Sequence, residues 1–145
     1  SLATHLYIQN NDSLFNVDGL EGLTLVGTGT QFLFVADNLS LQHLDGLIGL
    51  TDPPNGAIRI KGNTGLTQVA GLQYLVGEVN GPLVVEYNPK LVSIDPLSGL
   101  TKATQVEVIG NLSLLQCGAF NVVLGIETAV YCVKSNKPDD CADAC

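Results

Sequence analysis

The sequence predicts a mainly β chain wound as a solenoid of about five short coils, and three observations predict it. One pattern, apolar-x-apolar-x-x-Asn-x-x-Leu, recurs five times, with successive Asn residues 27, 25, 25 and 23 positions apart. A period of that length, kept at the same positions, marks stacked coils. Each apolar-x-apolar segment alternates with period two, as a strand with one inward face does. Long amphipathic helical stretches are missing between copies, so strands and turns carry the fold.

Each coil can be justified in order. The first has Leu6, Ile8, Asn11, Leu14, Val17, Gly19, Leu20 and Leu23. The second has Leu33, Val35, Asn38, Leu41, Leu44, Gly46, Leu47 and Leu50, and the third Ile58, Ile60, Asn63, Leu66, Val69, Gly71, Leu72 and Leu75. The fourth has Leu83, Val85, Asn88, Leu91, Ile94, Leu97 and Leu100, with Pro96 where the others have Gly. The fifth opens with Val106, Val108, Asn111 and Leu114 and then departs from the pattern. Asn11, Asn38, Asn63, Asn88 and Asn111 are expected to form an Asn ladder, bonding backbone groups of their own and the next coil. Such a ladder satisfies amides that would otherwise be orphaned. The Gly-Leu-x-x-Leu stretch returns along a second face. Turn formers close each coil: Gly27-Thr28-Gly29, Asp52 to Gly56, and Gly77 to Pro82. Residues 1–116 are the coils and 117–145 a Cys-containing cap and tail, one domain overall.

Composition narrows the function. The chain of 145 residues carries a net charge of −8 with only six Lys and Arg. No clustered basic footprint exists for a phosphate backbone, so nucleic acid is not expected as a partner. No apolar run approaches the roughly 20 residues of a membrane span. The chain begins at Ser1 without Met and is expected to be a segment of a longer chain. The four cysteines, Cys117, Cys132, Cys141 and Cys145, fit disulfides formed in an oxidising compartment. They allow three pairings. Closing residues 119–131 around Phe120, Val123, Leu124 and Ile126 as a short capping helix or loop favours Cys117–Cys132, with Cys141–Cys145 following.

The units resemble leucine-rich repeats, and more closely the receptor L-domain of growth-factor and insulin-type receptor ectodomains and of fungal cell-wall proteins. "LYIQNNDSLFNVDGLEGL", "IRIKGNTGLTQVAGLQYL" and "LVVEYNPKLVSIDPLSGL" carry the resemblance, and "NLSLLQC" at 111–117 is similar to that family's closing coil. It covers about residues 5–120. It implies a right-handed β-solenoid, an extracellular or cell-surface setting, and a role in recognition or architecture without catalytic residues or cofactor. The Cys-rich N-terminal cap often seen in such proteins is missing from residues 1–145.

Outward strand positions fall into columns. The first is Tyr7, Phe34, Arg59, Val84 and Glu107; the second Gln9, Ala36, Lys61, Glu86 and Ile109; the third Asn10, Asp37, Gly62, Tyr87 and Gly110. Arg59 and Lys61 are two of the six basic residues and share one coil. Lys61 is expected beside Glu86, a surface ion pair worth about 0–1 kcal/mol. Tyr7, Phe34, Val84, Tyr87 and Ile109 supply apolar area to a candidate binding face, with Arg59, Lys61, Glu86 and Glu107 supplying selectivity.

Several tempting features weigh less. Asn11, Asn38 and Asn111 each open a glycosylation sequon. Their ladder role would turn the side chains inward, at Asn38 above all; Asn11 and Asn111, near the ends, stay open candidates. His5 and His43 read as surface residues with no ligand partners at suitable spacing. Asp139-Asp140 and the Cys141 to Cys145 tail read as disulfide framework rather than a metal clip. No nucleophile motif, paired carboxylates or phosphate-cradling loop stands out, so an enzyme is not expected. The irregular, charged columns argue against an ice binder. The expectation is a secreted recognition or adhesion module, presenting its strand face to a protein or glycan. The alternative is a self-associating structural subunit of an extracellular fibre, coat or wall, favoured by low charge and a weakly blunted first coil.

Overall fold

The computed structural model describes residues 5–24 and 32–145; the turn expected at Gly27-Thr28-Gly29 lies outside them. The strands are β1 (His5–Gln9), β2 (Phe32–Ala36), β3 (Ala57–Lys61), β4 (Gly77–Glu78), β5 (Leu83–Glu86), β6 (Leu100–Lys102), β7 (Val106–Ile109) and β8 (Tyr131–Lys134). Six of them form one parallel sheet in the order β1-β2-β3-β5-β7-β8, while β4 and β6 pair separately. The register is unbroken. Ile8, Val35, Ile60, Val85, Val108 and Val133 occupy one inward column, at most 7 % exposed.

Behind each of the first four sheet strands the chain closes a 3-10 turn, at Asp18–Leu20, Asp45–Leu47, Ala70–Leu72 and Asp95–Gly99, each lying against the next. The repeated Gly is there because units approach so closely. A Cβ on Gly46 would lie 1.8 Å from the Val17 carbonyl oxygen, and one on Gly71 1.8 Å from that of Leu44. In the fourth turn Pro96 enters the first helical turn, where a missing N–H costs nothing. Leu41, Leu44, Leu47, Leu66, Leu72 and Leu97 are fully buried in the resulting core. Each such leucine contributes about 1.5–3 kcal/mol by leaving water.

The Asn ladder runs the length of the sheet. Asn63 Oδ1 accepts both the backbone amide (3.2 Å) and the side-chain amide (3.0 Å) of Asn38, whose Nδ2 also donates to the Ile8 carbonyl at 2.8 Å. The same bonds recur at Asn63, Asn88 and Asn111. Asn38, Asn63, Asn88 and Asn111 are 0 % exposed, so these bonds are made away from water.

The C-terminal region departs from expectation in three ways. First, the ladder has a sixth rung, Asn136, because β8 adds a strand where only a cap was expected. Second, residues Gln116–Val123 form helix α1, which buries Ala119, Val122 and Val123, whereas Leu124, expected to face the core, is 72 % exposed. Third, the disulfides are Cys117–Cys141 and Cys132–Cys145, not Cys117–Cys132 and Cys141–Cys145. The reason is the path of the tail. β8 carries Cys132 into register with Glu107, and the last residues fold back as an antiparallel bridge between Val133 and Ala144. That places Cys145 beside Cys132. Asp139 meanwhile accepts the amides of Cys117 (2.9 Å) and Cys141 (3.0 Å) and holds those two together.

Candidate functional site

The outer face of the six-stranded sheet carries the residues singled out above. Strand register aligns Tyr7, Phe34, Arg59, Val84, Glu107 and Cys132 in one column, and Gln9, Ala36, Lys61, Glu86, Ile109 and Lys134 in the next. Parallel sheets are ordinarily covered on both faces. Here the inner face meets the core, and the outer face holds the exposed side chains of Tyr7, Arg59, Lys61 and Tyr87.

Two members of the face are not available for contact. Val84 is only 3 % exposed, because the longer side chains of Arg59 and Glu107 flank it in register. Ala36 is 2 % exposed for want of length. Ile109 and Glu107 are half-buried, and Glu107 is tied down by a 2.6 Å bond from Gln105 Nε2.

The third column has a backbone signature. Asn10, Asp37, Gly62, Tyr87, Gly110 and Ser135 all have positive φ, between 53° and 68°. One left-handed residue per unit turns the chain from strand to ladder Asn. Glycine adopts this conformation freely and Asn or Asp nearly so; other side chains cost about 1–2 kcal/mol there. Asp37 leans over Gly62, and Tyr87 lies against Gly110, where an added Cβ would come within 2.7 Å of its ring. The Tyr87 ring therefore rests on the neighbouring backbone, 53 % exposed. Lys61 Nζ stands 5.8 Å from its centroid and 3.5 Å from Glu86 Oε2. The former is within cation–π range. Arg59, exposed one pair of positions away on β3, has no ion-pair partner among the described residues.

The first two strands add an aromatic patch. Tyr7 and Phe34 rings are 5.7 Å apart, and His5 stacks on Phe32 at 5.1 Å. The sequence pattern missed Phe32 and showed His5 only as a surface residue, because the strands begin one residue before the apolar-x-apolar signal. The face thus divides into an aromatic end and a centre made of Arg59, Lys61, Glu86 and Tyr87.

Other clusters resolve into structural roles. Among the described residues Cys117, Asp139 and Cys141 lie within 4.8 Å of one another, but both sulfurs are bonded to each other and the carboxylate accepts two amides. Sulfurs joined in a disulfide offer no thiolate to a metal. His43, read as free of acidic neighbours, has its Nδ1 3.2 Å from Asp45 Oδ2 and 3.7 Å from Asp18 Oδ1. Asp45 comes from the same unit, two residues on, and stacking of the adjacent unit adds Asp18. Of the three sequons, Asn38 and Asn111 are buried in the ladder, 0 % exposed. Asn111 was expected near an end and is instead an interior rung, because Asn136 follows it. Asn11 is exposed.

Comparison with known proteins returns no matching family model, no matching curated protein and no matching solved structure. No described helix is long and apolar enough to cross a membrane.

Proposed function

We propose that this chain is a non-enzymatic, right-handed β-solenoid module of the receptor L-domain kind, working outside the cell. Its outer strand face recognises a protein or glycan partner. The parallel order of six consecutive sheet strands supports the solenoid, since crossover connections of this type are right-handed in nearly all proteins. The two disulfides support an oxidising, extracellular setting.

The observation that carries the reading is Tyr87. A bulky aromatic occupies a left-handed position where both neighbouring units have glycine, and its ring is half exposed. A strained backbone position that holds a half-exposed ring points to a residue kept for contact. A flat ring fixed on the backbone beside Lys61, Glu86 and Arg59 suits a sugar ring or a protein side chain, with charges to orient it. Because the ring is held in place beforehand, little ordering entropy opposes binding.

The reading is tested by screening the chain on arrays of extracellular glycans and secreted or surface proteins. Saturable binding that is lost with Tyr87→Gly supports it; binding that ignores this substitution rejects the face. A structural subunit of a fibre, coat or wall is the second reading, favoured by the outer edge of β1, which no described strand covers. The other end opposes it, since the tail's bridge to Val133 occupies the edge of β8.

A further inference from the structure

The two ends of the six-stranded sheet are built differently. At the β8 end, the Val133 amide donates to the Ala144 carbonyl at 2.7 Å and the Ala144 amide donates back at 2.9 Å. The ladder terminates there too: Asn136 Nδ2 donates to Gln116 Oε1, whose own Nε2 donates to the Val133 carbonyl. That end is closed. At the other end, β1 is the terminal strand, with one edge unpaired among the described residues. Beside it lies a cleft of about 370 Å³ lined by Tyr7, Ile8, Asn11, Leu14, Val17 and Leu20.

Four features of this end match an interior unit rather than a finished one. Leu14, Leu20 and Leu23 are only half-buried, whereas their counterparts Leu41, Leu47 and Leu50 are at most 1 % exposed. Asn11 Oδ1 accepts no hydrogen bond among the described residues, whereas Asn38, Asn63, Asn88 and Asn111 each accept two on that atom. Gly19 occupies the position that at Gly46 and Gly71 is forced by the preceding unit's carbonyl at 1.8 Å, yet no described residue lies within 4 Å of its added Cβ. Gly22 repeats the point: its counterpart Gly49 meets the Leu23 carbonyl at 2.7 Å, and Gly22 meets no described residue.

We propose that the face of β1 turned away from β2 is built to receive a preceding unit of this same repeat, in parallel register. Its Asn would donate a backbone and a side-chain amide to Asn11 Oδ1. Its carbonyls would fill the spaces left at Gly19 and Gly22, and its leucines the cleft over Leu14 and Leu20. A second copy of the chain fits less well. Its closed β8 end offers no parallel edge, and pairing β1 with β1 across a two-fold axis would run antiparallel. Such a pairing neither continues the Asn ladder nor requires glycine at position 19.

The test prefixes the chain with a copy of its own residues 32–56, joined directly to His5. This restores a ladder spacing of 25 residues, as between Asn38 and Asn63. The expected result is a rise in Tm of roughly 5 °C or more, slowed amide exchange at Tyr7 and Gln9, and a new sensitivity at Gly19. Gly19→Ala is silent in the unprefixed chain and lowers Tm in the prefixed one, as Gly46→Ala does in both. An unchanged Tm, protease-labile added residues and a silent Gly19→Ala in the prefixed chain would overturn the proposal. So would light scattering showing the unprefixed chain as a dimer that Tyr7→Pro dissociates, since the face would then belong to a second copy.

Discussion

A Cβ added to Gly110 would stand 2.7 Å from Cδ1 and 2.9 Å from Cε1 of Tyr87, so the ring is seated on bare backbone. The seat exists only because position 110 has no side chain. Both residues are left-handed, at φ 53° and 68°, and directly follow the adjacent strands β5 and β7. Tyr87→Gly should therefore leave stability within about 1 kcal/mol of the parent. The relieved strain offsets the entropy that glycine adds to the unfolded chain. Thermal unfolding checks this.

Gly110→Ala acts from the other side of the same contact. It forces the ring to move and places a Cβ in the left-handed region, so stability falls by about 1–2 kcal/mol. Chemical denaturation reads the loss. Partner binding should weaken with it, because the ring no longer lies flat beside Lys61.

Asn63→Ala removes an acceptor of two buried bonds from Asn38 and the donor of two more, to the Val35 carbonyl and Asn88 Oδ1. Each buried group left unpaired costs about 1–3 kcal/mol. The expected loss is about 3–5 kcal/mol, measured by urea unfolding, and a cost below about 1 kcal/mol would contradict the ladder's role.

Secretion of residues 1–145 from a glycosylating host, without a preceding unit, should add a glycan at Asn11 alone, and the prefixed chain, whose Asn11 is covered, should carry none there. Intact mass before and after enzymatic deglycosylation distinguishes one occupied sequon from three. Occupancy at Asn38 or Asn111 would mean the ladder forms late or not at all.

Peptide mapping without reduction should find Cys117 linked to Cys141 and Cys132 linked to Cys145. Replacing Cys145 by Ser frees the tail from β8 and should cost about 2–4 kcal/mol. It also uncovers the sheet edge at Val133, so self-association should rise with it.

Much of the sheet was legible because one Asn per unit fixes the register of every strand before it. Once Asn38 and Asn63 are aligned, Phe34 must stand beside Arg59, and Lys61 beside Glu86. What escaped depends on contacts between units or beyond the repeat. Asn136 lies 25 residues after Asn111, with Tyr131 and Val133 at the expected places before it. The missing Leu three positions later, where Asp139 stands, hid that unit. Disulfide partners follow from a tail that folds back, which no periodicity encodes. Val84 points outward as the alternation requires, and its burial comes from the lengths of two side chains on other strands. The strain at Tyr87 was readable in principle: a column of Asn, Asp, Gly, Gly and Ser is a column of turn formers, and a tyrosine within it is out of place.

The most direct test of the account compares the parent chain and Tyr87→Gly for affinity toward whichever extracellular glycan or protein the arrays identify, with Tm measured on both. The account predicts matched Tm values and at least a roughly tenfold weaker Kd for the variant, equal to about 1.4 kcal/mol or more. Equal affinity of the two folded proteins would contradict it and move recognition off this face.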